Sequence, residues 1–217
     1  MTDYPTRRKM MVDTQIRPQD VTKFPVLEAM LDVPRESYVP DNQREAAYAD
    51  ENLTLAASRV VLAPRTFAKL LDGLDIDPSE VVLDIGCGLG YSTAIIAGLA
   101  DAVVAVEEDA DMAAEAQSIL SGNDVDNAAV VQGVLAEGAP KHGPYDVIIL
   151  EGGAEQVPSA ILDQLKEGGR IGCLFLEGAL GVARIGYKID GVVSWRFAFN
   201  ATAPVLDGFE AKNTFSL

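Results

Sequence analysis

The chain has 217 residues, 48% of them hydrophobic, which suits one α/β domain with an appendage and is short for two independent domains. With 33 acidic side chains against 17 basic ones the formal net charge is −16, so the surface repels phosphate backbones and anionic lipid heads, disfavouring nucleic-acid and membrane partners. Met1 to Asp20 lacks the apolar stretch of a signal peptide, no run of about 18 apolar residues offers a spanning helix, and Cys87 and Cys173 make no disulfide framework, so the chain is expected to be cytoplasmic.

The first fifty residues read as helical. Arg7-Arg8-Lys9, the one candidate basic patch, reads as a solvated helix face. Val26-Leu27, Met30-Leu31 and Val33 form an apolar stripe, with Thr22 as its expected N-cap and Pro34 as its stop. Pro40 with Asp41-Asn42 marks a turn. The stretch Ala47 to Pro64 opens polar and acidic and ends in Val60-Val61-Leu62-Ala63-Pro64; it reads either as the wall of a site or as a core strand leading into the next helix. Phe67, Leu70, Leu71 and Leu74 recur at helical spacing, predicting a helix over Arg65 to Gly73.

Five short apolar runs follow: Val81 to Ile85, Ala102 to Val106, Ala129 to Val131, Asp146 to Leu150 and Arg170 to Leu176. Helical stretches at Ser92 to Leu99, Ala110 to Leu120 and Ser159 to Leu165 separate several of them. Uninterrupted apolar strands alternating with helices imply a parallel sheet covered on both faces. Ala183 to Ile189 and Val192 to Phe199 flank Asp190-Gly191, a two-residue hairpin signal, so the sheet should end in an antiparallel pair. The tail, Ala203 to Leu217, carries no clear pattern. The expectation is a single α/β domain over residues 1–217. It combines a doubly wound, mostly parallel, Rossmann-like sheet with a helical extension and substrate-side segment over 1–60, ahead of the core over 61–217.

The chemistry-bearing motif lies after the first of the apolar runs, at Asp84-Ile85-Gly86-Cys87-Gly88-Leu89-Gly90-Tyr91. Its pattern is D-x-G-x-G-x-G. Tyr91 replaces the last glycine of the dinucleotide fingerprint, and no Lys-Ser or Lys-Thr follows to make a phosphate-binding loop. Glycines there permit a tight turn and a close approach of backbone to ligand. Glu107, at the end of the next strand, is placed to accept hydrogen bonds from both hydroxyls of a ribose. Asp84 would repel a pyrophosphate but can neutralise an ammonium. S-adenosylmethionine, with an ammonium, a sulfonium, a ribose and no phosphate, fits these residues.

Other constellations are weaker. His142, the one histidine, reads as a surface residue in the loop Lys141-His142-Gly143-Pro144, and with two distant cysteines it builds no metal site. Cys87 reads as a small loop filler, although a helix N-terminus beside it could lower its pKa. Glu151, after the fourth apolar run, faces either the crevice or solvent.

The segment Val82 to Ala94 resembles the cofactor motif of class I S-adenosylmethionine methyltransferases, and more narrowly that of the protein-L-isoaspartate O-methyltransferase family. Val26-Leu27-Glu28-Ala29-Met30 with Val33-Pro34-Arg35-Glu36-Ser37-Tyr38-Val39-Pro40 is similar to that family's "VL.AM..VPR..FVP", and Ala47-Tyr48-Ala49-Asp50 to its "AYED". Leu162 to Arg170 is similar to its "LLDQLKPGGRL", and the likeness covers roughly Met10 to Leu176. The resemblance implies methyl transfer from S-adenosylmethionine to a carboxylate of damaged aspartyl residues in a peptide or protein, a displacement that needs positioning more than a base. It implies cofactor contacts at Asp84, Gly86, Gly88, Gly90, Tyr91, Glu107 and Gly133.

The chain departs from the family in one place above all. The family's "AYEDRPLPIGHGQTISQP" aligns without gaps on Ala47 to Pro64, so its Thr and Ser fall on Val60 and Leu62, its Gln on Arg59, and its two glycines on Ala56 and Ser58. Leu62 cannot donate a hydrogen bond to a carboxylate, leaving Ser58 as a speculative hydroxyl donor. The family's "GDG" reads Gly133-Val134-Leu135 here. Besides isoaspartyl methylation, two readings stay open: a methyltransferase of the same fold on a small acceptor, with Val60, Val61 and Leu62 lining a greasier pocket, and a non-catalytic binder of the nucleoside.

Overall fold

The computed structural model describes residues 3–178 and 180–211; of the tail over 203–217, residues 212–217 lie outside the described residues. Helix α1 (Tyr4–Met11) starts at Asp3, whose carboxylate accepts the Thr6 N–H, with Pro5 in the first turn. It runs on through a π turn (Val12–Ile16) that buries Val12 and Ile16. Helix α2 (Phe24–Asp32) begins after Lys23, not at the expected Thr22 cap. Pro25 sits in its first turn with φ already fixed for a helix, and no side chain caps it. Val33 is extended, as a residue before proline must be.

The expected solvated face at Arg7-Arg8-Lys9 is only partly that. Arg7 pairs with Glu45 at 3.0 Å, and Arg8 donates to the Leu31 and Asp32 carbonyls (3.1 and 2.9 Å) and to the Tyr48 hydroxyl. Arg8 ties α1 to the C-terminal end of α2, whose last carbonyls lack helical partners, and Arg7 ties it to the turn that carries Glu45. Lys9 is exposed.

Strands β1 (Leu53–Ala56) and β2 (Arg59–Val61) form a separate two-stranded hairpin with a bulge near Ala56. Helix α3 (Pro64–Leu74) follows with Leu70, Leu71 and Leu74 fully buried, and ends at Asp75 in a left-handed conformation. The main sheet then alternates with helices: β3 (Val81–Ile85), α4 (Tyr91–Ala97), β4 (Ala102–Glu107), α5 (Ala110–Gly122), β5 (Ala128–Gln132), β6 (Tyr145–Ala154), α6 (Ser159–Leu162), β7 (Leu165–Glu177), β8 (Leu180–Ile189) and β9 (Val192–Asn200). The strand order is β5-β4-β3-β6-β7-β8-β9, parallel from β5 to β7 and antiparallel for β8 and β9. Asp190 (φ 52°) and Gly191 (φ 77°) both take the left-handed conformation that a tight hairpin requires. Helix α6 stops short of the expected Leu165 because that residue already pairs with Tyr145 as the first residue of β7.

Side chains alternate across β3. Val82 faces a core shared with Met11, Ile16, Met30, Phe67 and Leu71, and Leu83 and Ile85 face one shared with Val106, Leu150 and Leu206. The first core takes in the N-terminal helices, and the expected boundary between residues 60 and 61 runs through β2.

Candidate functional site

From β3 the chain winds outward to β4 and β5, then returns to lay β6 on the other side of β3. Ligands of open α/β sheets bind at the carboxyl ends of the strands beside such a reversal. The residues placed there are the end of β3, the glycine turn, the end of β4 and the last third of β6.

Asp84 is fully buried. Its Oδ2 accepts from the hydroxyls of Ser92 (2.8 Å) and Thr93 (2.7 Å), in the first turn of α4, while Oδ1 has no partner. Burial raises its pKa from 3.8 to about 6 against the opposing effect of the two hydroxyls. Across the reversal lies Glu151, 4% exposed, whose Oε1 is also without a partner. Burial, then the charge of Asp84, pushes its pKa well up. Glu151 is therefore a crevice residue, not a solvated loop acid. Burial disfavours the charge on both carboxylates, and a cation such as the ammonium of an amino acid placed beside their free oxygens would favour it.

Between them runs the glycine turn. Gly86, Gly88 and Gly90 have φ of 80°, 55° and 90°, where L side chains are strained. The Gly86 N–H donates to the Val106 carbonyl at 2.9 Å, and the Gly90 N–H to the Cys87 carbonyl at 2.8 Å. Cys87 is buried in this turn and its thiol pKa is pushed well up by burial, then by Asp84 and Glu107, so the suggested lowering by a helix terminus does not occur.

Glu107 ends β4, fully buried. Its Oε2 accepts the Gly88 N–H at 3.0 Å, and its Oε1 accepts the N–H groups of Glu108 (2.8 Å) and Asp109 (3.1 Å). These bonds fix a carboxylate against the glycine turn, a contact that the spacing alone does not give. Nor does the spacing imply that Arg59, from β2, lies on that carboxylate. The Arg59 Nε donates to both Glu107 oxygens at 3.0 and 3.2 Å, and Nη1 reaches the Ser58 hydroxyl (3.1 Å) and Asp207 (3.3 Å). Leu55, from β1, stands over Gly88 so closely that a Cβ on that glycine would lie 2.5 Å from its Cδ1.

The remaining expected residues divide. Gly133 donates its N–H to the Glu107 carbonyl at 3.0 Å and has open space at its α-carbon; Val134 beside it is 45% exposed. The Tyr91 ring turns into the core against Tyr38 and Phe67. Val60, Val61 and Leu62 pack in the first core, 1–7% exposed, not around the greasier pocket that the small-acceptor alternative would have them line. Ser58 lies at the outer edge, donating its hydroxyl to Asp207 at 2.7 Å. A shallow cavity of about 310 Å³ opens there, lined by Ala56, Ser58, Arg59, Glu108, Met112 and Asp207. His142 is exposed in its loop.

One residue carried no signal beyond the VPR motif. Arg35 is fully buried, donates to the Ala47 (2.7 Å) and Leu62 (2.8 Å) carbonyls, and sits 4.6 Å over the Tyr91 ring. It ties the start and the end of the 47–64 segment to α4 through one planar cation.

Comparison with known proteins agrees with this geometry. Residues 6–173 match the model of the protein-L-isoaspartate(D-aspartate) O-methyltransferase family. A protein-L-isoaspartate O-methyltransferase of Syntrophus aciditrophicus is 37% identical over 194 residues, covering 88% of this chain and 89% of its own. One from Methanoculleus marisnigri is 36% identical over 164 residues, covering 76% and 74%. Among solved structures, a protein-L-isoaspartate O-methyltransferase superposes with a TM-score of 0.80 at 23% identity, over 95% of this chain and 66% of that one. A putative Plasmodium falciparum member in complex with S-adenosyl-L-homocysteine gives 0.79 at 19% identity, over 95% and 99%. The fold, the glycine turn against a strand-end carboxylate and the length of these matches agree: the chain belongs to the protein-L-isoaspartate(D-aspartate) O-methyltransferase family.

Proposed function

We propose that the protein is an S-adenosylmethionine-dependent O-methyltransferase acting on carboxylates of isoaspartyl residues in peptides or proteins. The observation that carries this reading is the pair of buried carboxylates, Asp84 and Glu151, each with an unpartnered oxygen, flanking a glycine turn held against Glu107. This donor set fits the cofactor. Asp84 and Glu151 suit its ammonium, Gly86, Gly88 and Gly90 let the backbone lie close, Glu107 suits its ribose hydroxyls, and Gly133 leaves room beside them. Bound there, the group supplies an electrophilic methyl on a sulfonium.

The chain's own contribution is positional. A carboxylate acceptor is ionised at neutral pH, so no general base is required, and an exposed His142 is no obstacle. The relatives from Syntrophus aciditrophicus and Methanoculleus marisnigri, both protein-L-isoaspartate O-methyltransferases, favour the isoaspartyl acceptor over a small one or a binding-only role. Among the described residues no helix is long and apolar enough to cross a membrane, and both cysteines are free. A cytoplasmic location belongs to the same proposal. The test is transfer of a labelled methyl to an isoaspartyl peptide and to its normal aspartyl counterpart. A base-labile ester on the first and not the second is expected; none on either refutes the assignment.

A further inference from the structure

We infer that the β1–β2 hairpin is a gate seated in the cofactor crevice, with Arg59 as its latch on Glu107 and Leu55 as its plug over Gly88. This inference rests on the proposed cofactor site. Three observations meet on it. The Arg59 guanidinium holds the very oxygens that a ribose would need: both Glu107 oxygens already accept from Nε, besides three backbone N–H groups. A carboxylate has about four acceptor sites, so ribose hydroxyls and Arg59 compete for the same lone pairs. Leu55 fills the space over Gly88 that close approach of a ligand requires, since even a Cβ on that glycine would lie 2.5 Å from its Cδ1. Asp84 and Glu151, on β3 and β6, are not among the hydrogen-bond partners of Arg59 and keep their unpartnered oxygens. The carboxylate suited to the ribose is thus occupied by the hairpin's cation, and the two suited to the ammonium are not.

The latch has somewhere to go. Asp207 and Ser58, at the outer edge, already hold Nη1, and Glu108 lies 4.0 Å from Nη2. Asp207 is 60% exposed, so a guanidinium released from Glu107 keeps a partner in a wetter place. Access of the cofactor is thus an exchange of donors on Glu107: the ribose hydroxyls arrive as Arg59 withdraws toward Asp207. The family's residue at this position, a glutamine, carries no charge to latch with. The closed form lowers the apparent affinity by the fraction of molecules that are open.

The experiment is calorimetric titration of S-adenosylhomocysteine into the unchanged protein and Arg59→Gln, with thermal melting of both. Expected are at least tenfold tighter binding by the variant and a lower melting temperature without the nucleoside, since a buried ion pair has been broken. A merely structural arginine would lower the melting temperature without tightening binding. Should Arg59→Gln fail to fold, Leu55→Ala, which removes the plug, carries the same comparison. Equal or weaker binding by the folded variant overturns the gate and leaves the cofactor site standing. No binding by either protein overturns both.

Discussion

Replacing Asp84 by asparagine should stabilise the protein at neutral pH while weakening its site. Asparagine keeps the shape and can still accept from the Ser92 and Thr93 hydroxyls, but carries no charge. Because Asp84 titrates at about 6 in the fold against an ordinary value of 3.8, folding prefers its protonated form. At about 1.4 kcal/mol per tenfold change in proton affinity, the ionised carboxylate costs on the order of 3 kcal/mol at pH 7. Weakening these two hydrogen bonds by removing the acceptor's charge takes back part of this, leaving a net gain of about 1–2 kcal/mol. The sign follows from linkage. The folded-state pKa is raised, so the favourable contribution of Asp84 is complete below about 4 and is lost as pH rises through about 6. Urea unfolding at several pH values should therefore show Asp84→Asn more stable than the unchanged protein at pH 8, with the difference shrinking toward pH 4. Relief of the neighbouring Glu151, whose pKa Asp84 helps to raise, acts in the same direction. A variant less stable than the unchanged protein at pH 8 would refute the view that Asp84 is a strained, unpaired charge awaiting a cation.

Arg35→Met should lose on the order of 3 kcal/mol in urea unfolding, because it strips the Ala47 and Leu62 carbonyls of buried charged donors. Arg35→Lys should recover little, since one ammonium cannot span both carbonyls as the guanidinium does. Gly88→Ala should cost about 1–3 kcal/mol through its φ of 55° and its clash with Leu55; adding Leu55→Ala should return the part due to the clash, measured by thermal melting. Restoring the family's hydroxyls with Val60→Thr and Leu62→Ser should destabilise by about 2–4 kcal/mol together, since both positions lie in the core; unchanged urea midpoints would contradict that placement.

Much of this was legible in the sequence, for a physical reason. Each strand of a covered parallel sheet must be apolar on both faces, so Val81 to Ile85 and Ala102 to Glu107 announce themselves without any partner being known. Asp190-Gly191 announces its turn because few residues accept a left-handed backbone. The β1–β2 hairpin gives no such signal. Its strands have four and three residues, and the greasy run after Arg59 reads equally as pocket wall or core. The structure makes Val60 to Leu62 core and turns the residue just before them, Arg59, into the crevice. That contact joins positions 48 apart and depends on hairpin register, which no local pattern records. Arg35 was hidden likewise: a buried cation is defined by the carbonyls around it, and those come from Ala47 and Leu62.

The most direct test is a crystal structure with S-adenosylhomocysteine bound. The nucleoside should lie along the glycine turn with its ammonium at Asp84 and Glu151, its ribose on Glu107, and Arg59 moved off Glu107 toward Asp207. A nucleoside bound elsewhere, with Arg59 still on Glu107, would contradict the account.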